Sequence, residues 1–179
     1  MANHTVVVLN KVAAFNVDAY VRPVVAQQNM DNGYFFTLNT VSTGSAVECW
    51  IPTVPTTGSL SGVWMLKEPE IPFLANGTNV YNGLGTIRDF YVSASQVATA
   101  IKPQVGDIIT VTAEAFTSGT VPAAGEYANV VNGAFTLTKA TTSGVGQSWI
   151  CREVNSIPYA DGTIGSQRLT SYRLECVIA

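Results

Sequence analysis

Charge is what this chain has least of. Only 9 Lys/Arg and 12 Asp/Glu occur in 179 residues, a charged fraction of 12%, about half the roughly 25% of an ordinary soluble domain. Two surfaces fit so low a value: one clad in Ser, Thr, Asn and Gln, or one that rests against other proteins. The formal net charge is −3 and no Lys/Arg block occurs. Nucleic-acid binding usually announces itself as a basic patch or stripe, so no nucleic-acid partner is expected.

Histidine is nearly missing too. The one imidazole, His4, lies near the start of the chain, a poor place for the positioned base that a Ser or Cys nucleophile needs. Cys49, Cys151 and Cys176 have no CxxC spacing, and with His4 they make no recognisable zinc set. Three reduced, mostly buried thiols are expected. The opening MANHTVVVLNKVAAF lacks both a basic leader and a long apolar run, so a signal peptide is not expected. The uncharged stretch Leu38 to Val47 is polar and too short to cross a bilayer, so no membrane partner is expected.

Cofactor and acid–base signatures are equally thin. Asn82-Gly-Leu-Gly-Thr has two glycines without the GKS/GKT ending or the helix that aims amides at a phosphate. Asp31-Asn32-Gly33 is a fragment of a calcium loop at most. Glycosidase chemistry needs two carboxylates. Glu68 and Glu70 flank Pro69 and share a side if extended. Asp107 and Glu114 stand at opposite ends of one strand, roughly 20 Å apart at the usual rise, too far to act together. Asp107 reads as a turn residue that accepts backbone amides, and Glu114 as a strand-end charge. No catalytic residue, cofactor or metal is expected, and the chain reads as a non-enzyme. The aromatics Trp50, Trp64, Trp149, Tyr81 and Tyr159 could stack on sugars, but packing in a core or interface is the simpler reading.

What the chain does have is strand-forming sequence. Val, Ile, Thr and aromatics recur in short runs, punctuated by Gly, Pro, Asn and Ser. Strands are expected at Thr5–Leu9, Tyr34–Leu38, Ala46–Ile51, Gly62–Leu66, Ile108–Ala113, Tyr127–Val131, Ala134–Lys139, Ser148–Val154 and Arg168–Ile178. Asn132-Gly133 supplies the positive φ angles of a two-residue type I′ hairpin turn. In the last strand Thr170, Tyr172, Leu174, Cys176 and Ile178 form the more apolar side. In Ile108–Ala113, Ile109, Val111 and Ala113 share a side. Ser95–Lys102 carries both helical and alternating patterns, and the strand reading is preferred. Asp31-Asn32-Gly33 predicts a second tight turn. Residues 52–61 and 69–86 read as long surface loops. No repeat of 20–50 residues is evident.

The fold class predicted is all-β: an antiparallel β-barrel or sandwich with long loops and an extended N-terminal arm. Two segments follow: residues 1–30 as the arm, an interaction segment, and residues 31–179 as the β domain.

Residues 46–116 carry a resemblance. AVECWIPTVPTTGSLSGVWMLKEPEI, then GTIRDFYV, then VATAIKPQVGDIITVTAEAF, with FTLTKA further on, resembles head decoration, cement or auxiliary capsid proteins of tailed bacteriophages. Residues 1–30 and Ser148–Gly165 fall outside it. The resemblance implies a structural virion protein on the capsid exterior, assembled in the host cytoplasm, that binds the major capsid protein and stabilises the phage head. It also implies a homo-oligomer, with a trimer favoured by analogy. Capsid or oligomer contacts are expected from the arm residues Val6, Val8, Phe15, Tyr20 and Val24, through strand addition to an exposed sheet edge. The alternative is a phage fibre, baseplate or carbohydrate-recognition β-domain.

Overall fold

The computed structural model describes residues 5–7, 20–44, 48–69, 73–76, 79–82, 87–117, 120–159 and 167–179. Twelve strands account for most of the regular structure: β1 (Val21–Val25), β2 (Phe35–Val41), β3 (Trp50–Thr53), β4 (Trp64–Leu66), β5 (Phe73–Asn76), β6 (Asn79–Asn82), β7 (Val97–Ile101), β8 (Ile108–Thr112), β9 (Tyr127–Val130), β10 (Leu137–Ala140), β11 (Ser148–Tyr159) and β12 (Gln167–Ile178). The named helical elements are 3-10 turns at Ile87–Asp89 and Ala113–Ala115. The all-β class is therefore as the sequence predicts, and Ser95–Lys102 is a strand over most of its length.

Five strands close a barrel in the order β1-β3-β2-β4-β7. Its pairings are antiparallel except β1 with β3, which run parallel at Val24 and Trp50. A second sheet has the order β10-β9-β11-β12-β8, and β5 pairs with β6 as a separate hairpin. A parallel bridge from Phe116 to Leu137 brings the chain just after β8 back to β10, at the opposite edge of the second sheet.

The period-2 alternation of the barrel strands divides their side chains between two cores. Phe35, Met65 and Ile101 join Ile109, Val111, Ala128, Val130, Leu137, Trp149, Cys151, Tyr172, Leu174 and Cys176 in the larger core. Phe36, Leu66, Ala98 and Ala100, from the same strands, enter a smaller one with Val24, Met30, Phe90 and Val92. The Phe35 and Trp149 rings meet edge-on at 5.8 Å, and Phe116 meets Tyr172 likewise at 5.3 Å. Such aromatic pairs add about 0.5–1.5 kcal/mol beyond the area they bury.

Several local expectations change. Residues 69–86, expected as loop, contain the β5–β6 hairpin. The β9–β10 hairpin exists, but pairing stops at Val130 and Leu137, so Asn132-Gly133 lies in a wider loop. Tertiary contacts outweigh the tight-turn preference there. Phe35 N donates to Phe135 O at 2.8 Å and Gly133 N to Pro55 O at 2.9 Å; Phe135 stacks on Tyr34 at 5.6 Å. The Asp31-Asn32-Gly33 turn forms as predicted, with Tyr34 N donating to Asp31 O at 3.2 Å and Gly33 at φ 79°.

The segment expected as an arm also holds part of the globule. Residues 21–25 are β1, hydrogen-bonded along β7 from Val21–Ile101 to Val25–Val97. Thr5, Val6 and Val7 are buried, and Val7 bridges Val111 on β8. Apolar β-branched runs without nearby turn signals can mark strands with distant partners as well as an arm, and β1 is such a strand.

Candidate interaction surface

The acidic groups that sequence alone could assign to chemistry are occupied with structural tasks. Asp107 is buried; its Oδ2 accepts from Gln104 N at 2.8 Å, while its own N donates to Gln104 O at 3.0 Å. Cys176 N donates to Asp107 O and Gly106 N to Cys176 O, both at 2.8 Å, which fastens this turn to the end of β12. Asp107 is thus the turn residue predicted. Glu114 sits in the 3-10 turn after β8 and pairs with Arg88. Glu68 Oε2 accepts from Thr99 N at 2.7 Å, and the Asn32 side chain bonds Glu68 N and O, both at 2.8 Å. Among the described residues no three His, Cys, Asp or Glu side chains gather as a metal site. His4 and Glu70 lie outside the described residues.

The thiols are buried and unbridged, as expected. Burial pushes the Cys176 thiol up to about 12, with the Asp107 carboxylate adding to the effect. Burial likewise raises Cys151. Neither sulfur is activated as a nucleophile, because only the thiolate attacks.

The large surface feature is the hairpin of β11 and β12. Each strand has 12 residues. On one flank β9 pairs with β11 at Ser148–Ile150 only, and Cys151 makes two further bonds, to Gly125 N and Glu126 O. On the other, β8 pairs with β12 over Ser171–Glu175. Beyond these points, among the described residues, the two strands pair with each other alone, from Ser156–Thr170 to Tyr159–Gln167. Among the described residues no third strand pairs with the outer edge of 152–159 or with that of 167–170. The two-stranded part so formed spans four pairs, roughly 13 Å at the usual rise, while the uncovered outer edge of 152–159 runs roughly 25 Å.

A lone two-stranded hairpin is marginal in water; this one is anchored because its base is core. Trp149, Cys151, Leu174 and Cys176 are wholly buried. Outward from Cys151 the pattern changes: Arg152, Glu153, Val154 and Asn155 are exposed. Ion pairs join Arg152 to Glu175 at 2.7 Å and Arg173 to Glu153 at 3.8 Å. Arg168 donates to Ser156 Oγ at 2.7 Å and Ser156 O at 3.0 Å. These pairs stiffen the ribbon, although exposed ion pairs contribute little energy. A bulge at Arg152 breaks register between Cys151 and Glu153, and Pro158 limits the outer edge at the far end. Between them Glu153, Val154 (43% exposed) and Asn155 are exposed, Ser156 is half-buried and Ile157 is buried.

Of the five expected contact residues, the three that the structure describes lie away from this ribbon. Val6 and Val24 are 1% and 0% exposed, consumed by the interior of this chain. Tyr20 is half-buried ahead of β1, and its carbonyl accepts from Lys102 N at 2.8 Å. Val8 and Phe15 lie outside the described residues. The ribbon was half-legible: both of its strands were expected, but β11 runs to Tyr159, five residues past the expected Val154, because cross-strand pairing with β12 carries it on.

Of the aromatics, Trp149 is core, while Trp50 and Trp64 are half-buried against the smaller core. The Arg22 guanidinium lies 5.8 Å over the Trp64 ring. The Tyr81 and Tyr159 side chains lie outside the described residues. The described residues include no helix long and apolar enough to cross a membrane.

The chain matches no protein-family model, and no curated protein or solved structure proved similar to it.

Proposed function

We propose that this chain is a non-enzymatic structural virion protein that binds the outer surface of a tailed-phage capsid and stabilises the assembled head. The major capsid protein is its partner, and the chain acts as a homo-oligomer on the capsid exterior. The observation that carries this reading is the β11–β12 ribbon. It is a hairpin rooted in the core that ends as two strands alone, and the exposed Val154 on its uncovered 152–159 edge can lie along another protein's surface. Strand edges offer affinity through backbone hydrogen bonds and selectivity through alternate side chains. The low charge of the chain and the resemblance over residues 46–116 support the same reading.

The test is to mix the purified protein with capsids lacking it and count bound copies after sedimentation. Saturable binding to expanded shells is expected. Val154→Lys, an exposed substitution that leaves the cores intact, is expected to weaken binding tenfold or more. Failure of the unaltered protein to bind any shell overturns the proposal.

A second reading, a fibre, baseplate or carbohydrate-recognition domain, draws on Arg22 over Trp64, with Trp50 half-buried against the same smaller core. Aromatic faces of this kind stack on sugar rings or cations. Glycan binding abolished by Trp64→Ala, in a protein indifferent to capsids, would favour it.

A further inference from the structure

The outer edge of β11 is closed by the chain's own side chains. On β12, Cys176 directs its N at Asp107 O and its O at Gly106 N, away from β11. Backbone direction alternates along an antiparallel strand, so Leu174, Tyr172, Thr170 and Arg168 turn their groups the same way. Opposite the last three across the hairpin stand Val154, Ser156 and Pro158. Those residues therefore turn their backbone groups to the uncovered edge. An edge of this kind is a template for a further strand.

The middle position of this edge has no backbone group left to give. Ser156 N donates to Asn155 Oδ1 at 2.8 Å, and Asn155 is held in that pose by donating to Glu153 Oε1 at 3.0 Å. Arg168 reaches across to donate from Nε to Ser156 Oγ at 2.7 Å and from Nη2 to Ser156 O at 3.0 Å. Pro158 has no N–H to offer. The bulge at Arg152 bounds the edge on the other side. Among the described residues, Val154 is the one position of the three whose outward N–H and C=O are both uncapped.

We propose that Asn155 and Arg168 are edge guards, an autoinhibitory contact that occupies the Ser156 backbone and keeps the β11 edge from taking another strand. The stretch is self-complementary without them. Two copies laid antiparallel about Asn155 would set Val154 against Ser156 on each side of the two-fold axis, and each such pair would exchange both of its backbone bonds. Every one of those bonds uses a Ser156 group, so the caps remove them all. Both guards are exposed side chains; a partner with better-placed donors and acceptors can displace them, and contact through the Val154 side chain is untouched. The inference concerns the edge itself and stands whether or not a capsid is the partner.

The test removes the guards. The double variant Asn155→Ala/Arg168→Ala is expected, in sedimentation velocity, to associate more than the unaltered chain and to do so at severalfold lower concentration. Loss of Arg168 makes the net charge more negative than −3, so weakened repulsion does not account for such a gain. Adding Ser156→Pro, which takes away the N–H at an edge position, is expected to reverse it. Amide exchange followed by NMR gives a second reading in dilute solution: in Asn155→Ala, Ser156 N–H is expected to exchange severalfold faster after correction for the changed neighbour. Association no greater than that of the unaltered chain overturns the proposal. So does association that survives Ser156→Pro, or a Ser156 exchange rate that does not change.

Discussion

Gly146 is where a single methyl group should do most harm. It lies just before β11, against the loop that carries Leu60. A Cβ there would stand 2.3 Å from Leu60 Cβ, 2.6 Å from Leu60 O and 2.8 Å from Leu60 C. Two of those atoms are backbone, so relief requires the loop to withdraw. The withdrawal strains the bond from Gln147 N to Leu60 O, now 2.7 Å, in a residue that is wholly buried. Overpacking typically costs about 1–3 kcal/mol, and an orphaned buried polar group about 1–3 kcal/mol. Against these, Gly→Ala gains about 0.4–1 kcal/mol by restricting the unfolded chain. The net for Gly146→Ala is a loss of about 2–4 kcal/mol, or roughly 5–15 °C in Tm for a chain of this size. Urea unfolding followed by tryptophan fluorescence measures it. Gly58→Ala is the matched control, since nothing lies within 4 Å of a Cβ there. If Gly146→Ala is as stable as Gly58→Ala, the close seating of the Leu60 loop on the start of β11 is wrong.

Val111→Ala is expected to cost about 1–3 kcal/mol, because a wholly buried side chain is cut back and leaves a cavity; a urea midpoint unchanged from wild type would contradict the facing of β8. Glu114→Gln should cost about 1–2 kcal/mol by removing the charge that answers the partly buried Arg88; an equal loss in low and high salt, with no salt dependence in the wild type, would show that the pair is not what matters. The raised Cys176 thiol makes an alkaline prediction. It stays protonated in the fold while the unfolded thiol ionises near its ordinary value of 9.0. Its stabilising contribution is thus fully present below about 9.0 and is lost as pH rises toward about 12. Cys176→Ala should flatten the fall in Tm across that window, and an unchanged slope would refute the assignment. The native thiols should also resist alkylation at mildly alkaline pH and react on addition of urea.

How far the sequence could be read differs between neighbouring elements. β12 was legible because its alternation holds through its centre: Tyr172, Leu174 and Cys176 are buried while Arg173 is exposed and Glu175 half-buried, although Ser171 is buried and Thr170 exposed. β8 was legible in place but only partly in exposure, since Thr110 and Thr112 on its other side are also buried. The Val6–Thr112 bonds show why: a distant segment lies along its edge. β1 was hidden for the same reason. Val21–Val25 makes its long pairing with β7, some 75 residues away in number, and no local pattern names so remote a partner. The ribbon was visible as two strands but not as an extension, because the end of β9 and of β8 decides where it emerges.

Residue order alone determined the strand-built class, the turns at Asp31-Asn32-Gly33 and around Asp107, and the inert, buried thiols. Those follow from short-range physics: side-chain alternation, backbone preferences at Gly and Asn, and the scarcity of charge. Only the tertiary structure decided which strands close the barrel, that Thr5–Val7 completes the larger core, and which backbone edges of the β11–β12 ribbon stay uncovered. Each of those depends on pairing between segments far apart in the chain, where backbone hydrogen bonds are nearly alike for every sequence and the fit of buried side chains makes the choice.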